Sequence, residues 1–315
     1  MAACMTDRER FDPPLLRVAW VNRALLARDA FLAEARARVA AAGAPAERFA
    51  SALAHGGVHL CGRPLLSHEI PEHVAADAWV RVHVFAREPE TPPLPEPVVL
   101  LDRDGLVAVA KPAWWPTQGT RASRRLSLEA VLRERLACPS LRAVHRLDRE
   151  TSGLALFARD AASAARAGRA FAAGGVTRRY LALASPAPQR ETWRIEGWME
   201  RAADRARFRF AVREESGPAR RWSATSFRLL RVSGSAALVE AWPETGRTHQ
   251  VRVHLAASGA PILGDPVYGD PAAAARCMLH AASLRVAGVL ASGALEAEAP
   301  LADDFARAAR SAGVL

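Results

Sequence analysis

A single carboxylate, Asp148, stands between Arg146 and Arg149 in the stretch His145-Arg146-Leu147-Asp148-Arg149-Glu150-Thr151-Ser152-Gly153. The stretch is dense in hydrogen-bonding side chains and reads as a turn-forming loop. It runs into residues 154–157, apolar throughout, as a strand buried on both faces would be. Loops carried on such strands are where chemistry is commonly placed. A solvated turn with local ion pairs has the same composition, and such pairs are weak. A second polar cluster covers residues 245–254 and contains Arg252, His249 and His254. A helical metal site needs two histidines at i and i+4 with a carboxylate nearby. These two lie one residue too far apart, so they read as structural hydrogen-bonding groups. Cys4, Cys61, Cys138 and Cys277 show no CxxC spacing, which argues against zinc and against a disulfide framework.

The composition is rich in Ala, Arg, Val and Leu, and against that bias some residues are rare. Lys111 is the only lysine, and Tyr180 and Tyr268 are the only tyrosines. A rare residue that persists under such a bias is a candidate for needed chemistry. The formal net charge is +10. Residues 1–97 hold 11 arginines against 12 acidic residues, and the remainder holds 32 basic against 21 acidic. The basic excess therefore lies in the C-terminal two-thirds and suggests a polyanionic partner, most simply nucleic acid. No apolar run reaches the ~18 residues of a membrane span, and the first residues carry no apolar leader. A cytoplasmic protein with no membrane partner is expected.

The elements that must position these residues follow in order. Residues 15–40 are Ala- and Leu-rich without Pro or Gly and read as helical. Residues 46–88 read as a short helix, then turns and strands. Residues 88–97, Pro-rich and acidic, read as a linker. That gives a small α+β N-terminal domain at 1–87 and a larger domain at 98–315. Residues 98–110 read as two strands around a turn at Asp102-Arg103-Asp104-Gly105. Arg121, Arg124 and Arg125 crowd the next loop, and Ser127 caps a helix to Leu136. Residues 161–173 form an alanine-rich helix stopped by Gly174-Gly175. Residues 176–185 are a strand containing Tyr180. Residues 205–212 alternate strictly, with Arg205, Arg207 and Arg209 on one face. That face is either a solvated surface or a track for phosphates. Residues 222–232 and 236–242 pair across a Ser-Gly-Ser turn. Thr248 caps a helix to Ser258, with Arg252 in its first turns.

HRLDRETSGL resembles the catalytic signature of the RluA-type pseudouridine synthases. Other blocks resemble that family in order: the apolar strand ending in Lys111-Pro112, VTRRYLALAS around Tyr180, TGRTHQVRVH around Arg252, PILGDPVYG at 261–269, and the segments 279–281 and 299–305. The likeness spans about 98–305. One departure is Ala113-Trp114-Trp115-Pro116, where the family has a glycine-containing turn. Its tryptophans serve either packing or contact with RNA. The piece 49–63 resembles a degenerate S4-like module, which binds RNA or is a structural appendage.

The resemblance implies an α+β fold with a mixed, mainly antiparallel sheet and flanking helices. It implies an isomerase that turns uridine in ribosomal or transfer RNA into pseudouridine, with no metal, no cofactor and no DNA partner, as a monomer. Asp148 would be the essential residue, acting as nucleophile at C1′ or as base at C2′. Arg252 would pair with Asp148 and fix its direction. Tyr180 would stack on the uracil, near C5 for the final proton removal, or else be a core tyrosine. The target must leave its stack. Arg146 would take its place, while Arg121, Arg124, Arg205, Arg207 and Arg209 would hold phosphates. The rival reading is a non-catalytic RNA-binding or ribosome-assembly protein.

Overall fold

The computed structural model describes residues 15–85, 98–202 and 209–315. They divide into two compact units, Met1–Pro93 with Gln118–Ala137, and Leu94–Thr117 with Cys138–Leu315. The expected linker at 88–97 lies outside the described residues.

The first unit contains β1 (Leu15–Val21), β2 (Leu26–Ala27), α1 (Arg28–Ala41), α2 (Glu47–His55), β3 (Val58–Leu60), β4 (Arg63–Leu65), β5 (His73–Val74), β6 (Trp79–Phe85) and α3 (Leu128–Arg135). Its main sheet runs β1-β6-β3-β4 and is antiparallel. Phe31, Ala35 and Val39, at helical spacing, pack with Phe49, Val58, Val80 and Val82. The helix expected over 15–40 begins only at Arg28. Leu15–Val21 is instead a strand, paired along its whole length with β6. Leu16, Val18 and Trp20 alternate toward the core while Arg17 and Ala19 are less enclosed or exposed. Cross-strand pairing overrides the helical propensity of Leu and Ala here.

Residues 118–137 also depart from expectation, because they belong to the first unit and not to the second domain. The Arg124 amide donates to His55 O at 2.7 Å, and its guanidinium pairs with Glu69 at 2.8 Å. His59 Nε2 bonds the Arg121 carbonyl at 2.8 Å. Ser127 caps α3 as expected, its hydroxyl accepting from Ala130 N.

The second unit contains β7 (Val99–Arg103), β8 (Leu106–Lys111), β9 (Arg142–Ala143), β10 (Ser152–Ala158), α4 (Ala161–Ala172), β11 (Val176–Ala184), β12 (Thr192–Arg201), β13 (Phe210–Arg213), β14 (Arg221–Ser233), β15 (Ala236–Pro243), α5 (Gln250–Ala257), β16 (Leu279–Leu290), β17 (Gly293–Glu298) and α6 (Asp303–Ser311). Nine of these strands run β13-β12-β14-β15-β11-β16-β10-β8-β7, with β17 on β16 and β9 on β10. Among the described residues only β10 and β16 pair in parallel; the other pairings are antiparallel. The fold is thus α+β, with a mixed, mainly antiparallel sheet. Arg205 and Arg207 lie outside the described residues, and Arg209 immediately precedes β13.

The site depends on β10. Every one of its residues is buried, as its apolar sequence requires. α4 packs Ala167 beside Leu154 and Leu156, while α5 and α6 supply Val251, Leu255 and Phe305 to the cluster around Leu183 and Val239. Each fully buried side chain of this size contributes about 1.5–3 kcal/mol. Gly153 opens β10 at φ +107°, and a Cβ there would lie 2.1 Å from Ala281 O. Gly168, on exposed α4 surface, has nothing within 4 Å of such an atom. Gly153→Ala is therefore expected to cost at least about 2 kcal/mol in urea denaturation. Gly168→Ala should gain about 0.5–1 kcal/mol. Equal midpoints for the two variants would contradict this account of β10.

Candidate active site

Asp148 sits in the loop between β9 and β10, and its neighbours are fixed from several directions. His145 Nε2 accepts from Leu156 N at 3.1 Å, and its ring stacks on Phe171. Burial drives His145 down to about 4, so the ring is neutral and keeps that bare nitrogen. Leu147 exchanges two 3.0 Å bonds with Thr117, its amide donating to Oγ1 and its carbonyl accepting from the same hydroxyl. Lys111 Nζ donates to the carbonyls of Arg149, Pro112 and Trp115 at 3.0, 3.0 and 2.7 Å. Burial holds the Lys111 pKa well below its ordinary value. Fully buried Arg276 donates to Glu150 O and Ser152 Oγ while pairing with Asp304. The lone lysine is thus a clamp on the loop.

Arg252 reaches the loop from the first turns of α5. Its Nη1 donates to Asp148 Oδ2 at 3.0 Å. Its Nε and Nη2 grip both oxygens of Asp265 at 2.8 Å each. Asp265 is fully buried and also accepts from the amides of Val267 and Tyr268. Burial alone would raise Asp265, but the bonds and charge of Arg252 overcome it and hold the carboxyl below its usual range. For Arg252, burial opposes the charge, and the bonds to Asp265 with the surrounding negative groups overcome it, so the pKa rises. Asp148 receives one N–H of the fork. Its Oδ1 takes no hydrogen bond among the described residues.

The helix start differs from expectation. Thr248 does not cap α5; His249 precedes it in the left-handed conformation at φ 60°. The Gln250 side-chain oxygen Oε1 instead accepts from Thr245 Oγ1 and Arg247 N. The turn places His249 Nε2 3.9 Å from Asp148 Oδ2 and Nδ1 3.1 Å from the Tyr268 hydroxyl. That hydroxyl accepts from Phe210 N at 2.9 Å. The Tyr268 hydroxyl and His249 Nδ1 thus share one hydrogen bond in which either group can donate. Burial pushes Tyr268 up to about 12 and His249 down to about 4, which keeps both neutral.

A cavity of about 700 Å³ opens here, lined by Asp148, Arg146, Tyr180, Arg178, His249 and Arg252 among others. Tyr180 stands on β11, half-buried, and burial pushes it up to about 12. Arg146 is exposed at the rim. Arg209 lies with its guanidinium 5.8 Å from the Tyr268 ring centroid. Arg121 and Arg124 belong to the first unit, where Arg124 pairs with Glu69. The sequence did not single out Asp265 or the placement of His249. The rarity of tyrosine was the signal that pointed to Tyr268.

A held carboxylate beside a nucleoside-sized cavity, with an aromatic wall and basic rim, suits attack or proton removal at a nucleoside. The same geometry makes Asp265 the counter-charge of a buried cation. Asp265→Asn should cost about 3–5 kcal/mol at pH 7, read from chemical denaturation. A lowered native pKa stabilises above the unfolded value of about 3.9 and ceases to as pH falls through the native value. The gap from wild type should therefore narrow in acid. A gap independent of pH would contradict the ion pair.

Residues 105–257 match the family model described as RNA pseudouridylate synthase. An uncharacterized RNA pseudouridine synthase of Zymomonas mobilis is 36% identical over 224 residues, which are 68% of this chain and 97% of that one. The ribosomal large subunit pseudouridine synthase C of Rickettsia typhi is 30% identical over 168 residues, 53% of this chain and 54% of that protein. The chain thus spans about half the length of that relative. The solved human RNA pseudouridylate synthase domain containing 1 superposes with a TM-score of 0.56 at 29% identity, over 68% of this chain and 86% of the other. With these matches covering the strands and loops that build the cavity, the chain belongs to the RNA pseudouridine synthases, isomerases of the RluA type.

Proposed function

We propose that this protein converts particular uridines of ribosomal or transfer RNA into pseudouridine in the cytoplasm, acting as a monomer through Asp148. The observation that carries the reading is the Asp148–Arg252 bond at the mouth of the cavity lined by Tyr180. The reaction breaks N1–C1′, turns the uracil and joins C5 to C1′. The proton lost from C5 is matched by the one N1 gains, so the reaction needs no net redox change.

Asp148 acts at the ribose, either as nucleophile on C1′ or as base at C2′. Both roles need a carboxylate of fixed direction with an oxygen left open, and Oδ1 is open. Arg252 supplies the direction without occupying both oxygens. Tyr180, held as a phenol by its raised pKa, is suited to stacking on the uracil and not to serving as a ready base. Arg146, exposed at the cavity, would fill the gap left by a flipped nucleotide. Arg209 and the arginines at 205 and 207 would meet phosphates, as would Arg121; Arg124 would have to leave Glu69 to do so. The Rickettsia relative's name favours ribosomal RNA as substrate. A non-catalytic RNA-binding role is disfavoured by the intact set of Asp148, Tyr180 and Arg252.

The test is a pseudouridine map of total RNA from cells lacking the gene, complemented with wild type or Asp148→Asn. One or a few sites should vanish and return only with wild type. Return of those sites with Asp148→Asn, or no lost site at all, would overturn the reading.

A further inference from the structure

Two adjacent arginines on β11 have opposite surroundings. Arg179 bonds Glu240 at 3.1 Å, Glu298 at 3.4 Å and the Ser283 hydroxyl. Arg178 points to the other side of the strand, the side of Tyr180, and lines the cavity. Among the described residues it forms no ion pair with a carboxylate. Its Nη2 reaches only the carbonyls of Pro243 and Glu244, at 3.3 and 3.4 Å. Its Nε is buried and donates to nothing. Its Nη1 lies over Gly246, where a methyl group would come within 2.7 Å. Burial lowers its pKa, so the group is already partly stripped of water. Its charge is felt by both Tyr180 and His145.

We propose that Arg178 binds the backbone phosphate of the uridine nucleotide that enters this cavity. The inference rests on the pseudouridine synthase reading for the identity of that nucleotide. Three features select a phosphate over a neutral uracil carbonyl. Arg178 is a partly desolvated cation without a counter-charge, and a full anion balances it best. Its Nη1 takes part in no hydrogen bond among the described residues and belongs to a planar fork that suits phosphate oxygens. Asp148 is already matched by Arg252, and Glu244, which also lines the cavity, by Arg194, so neither carboxylate is left for Arg178. Spacing agrees as well. Arg178 and Tyr180 are two residues apart on one strand, about 6.6 Å, which suits a base on the tyrosine and its own phosphate on the arginine. Gly246 keeps that path clear, because any side chain there would press on the guanidinium.

The experiment is binding of a fluorescein-labelled oligouridylate, followed by anisotropy across a series of salt concentrations. Every register of that strand offers a uridine to the cavity, so the natural target need not be known. Arg178→Gln should weaken binding several-fold at low salt and reduce the slope of log K against log salt by about 0.7, the loss of one single-strand phosphate contact. Arg178→Lys should keep the slope while binding less tightly. Arg179→Gln, whose side chain is turned to Glu240, should leave the slope unchanged. Thermal melts establish that each variant is folded.

An unchanged slope for Arg178→Gln, an equal fall for Arg179→Gln, or no salt-dependent binding by wild type would overturn the inference. The result is separable from the activity reading, because no turnover is measured. A reduced slope without any lost pseudouridine site leaves Arg178 as a phosphate ligand in a non-catalytic RNA binder. Lost sites with an unchanged slope remove this inference alone.

Discussion

The site depends on one buried cation shared by two carboxylates. Removing a guanidinium from water costs several kcal/mol unless its charge and donors are answered. Asp265, fully enclosed, answers most of it with a two-bond grip and is itself steadied by two backbone amides. That leaves Arg252 a single N–H for Asp148. The asymmetry has a chemical consequence. A carboxylate gripped through both oxygens would be well fixed and poorly available. Asp148 is fixed through one oxygen and open at the other. Under the proposed function, the structural role and the reactive role would therefore fall to different aspartates.

The loop itself is fixed from both sides of the sheet. Thr117 holds residue 147, Lys111 holds residue 149, Arg276 holds residue 150, and the β10 amide of Leu156 holds His145. Each bond is modest, about 1 kcal/mol net. Their joint effect is geometric, because adjacent residues of a short turn cannot shift independently. Arg276 uses a cationic donor against a backbone carbonyl, a stronger partner than a neutral one. Gly153 then lets the chain leave the turn in direct contact with β16, where no side chain fits. A loop with this many bonds is a rigid mount for one reactive side chain.

Much of this was readable before any coordinates. The apolar runs of β8, β10 and β15 report their own burial, and Ser127 and Gly174 sit where helix boundaries require them. The central pair Asp148 and Arg252 was legible through the motifs that contain them. Other features were not. Leu15–Val21 is strand because β6 lies beside it, a partner far along the chain. Residues 118–137 join the first unit through His55 and Glu69, again partners remote in sequence. The role of Asp265 is hidden because an aspartate in a Gly-Asp-Pro turn has a sufficient local explanation. Only the arrival of Arg252 from another element gives it a second one.

The arginines show why charge counting reaches its limit in such a chain. Basic side chains are so abundant that an arginine near the site means little by itself. What separates them is the partner each one finds. Arg179 and Arg228 share the buried Glu240, Arg276 is matched by Asp304, and Arg252 by Asp265. These four are parts of the fold, and their charge is cancelled within it. Under the proposed function the attraction for a polyanion would come from the remainder, such as exposed Arg146 and the cavity-facing Arg178. Neighbours in sequence fall on different sides of this division, since a strand turns consecutive side chains to opposite faces. Net charge thus suggests a polyanionic partner, whereas the unmatched cations around Asp148 would, under the proposed function, set where on the surface that partner is held.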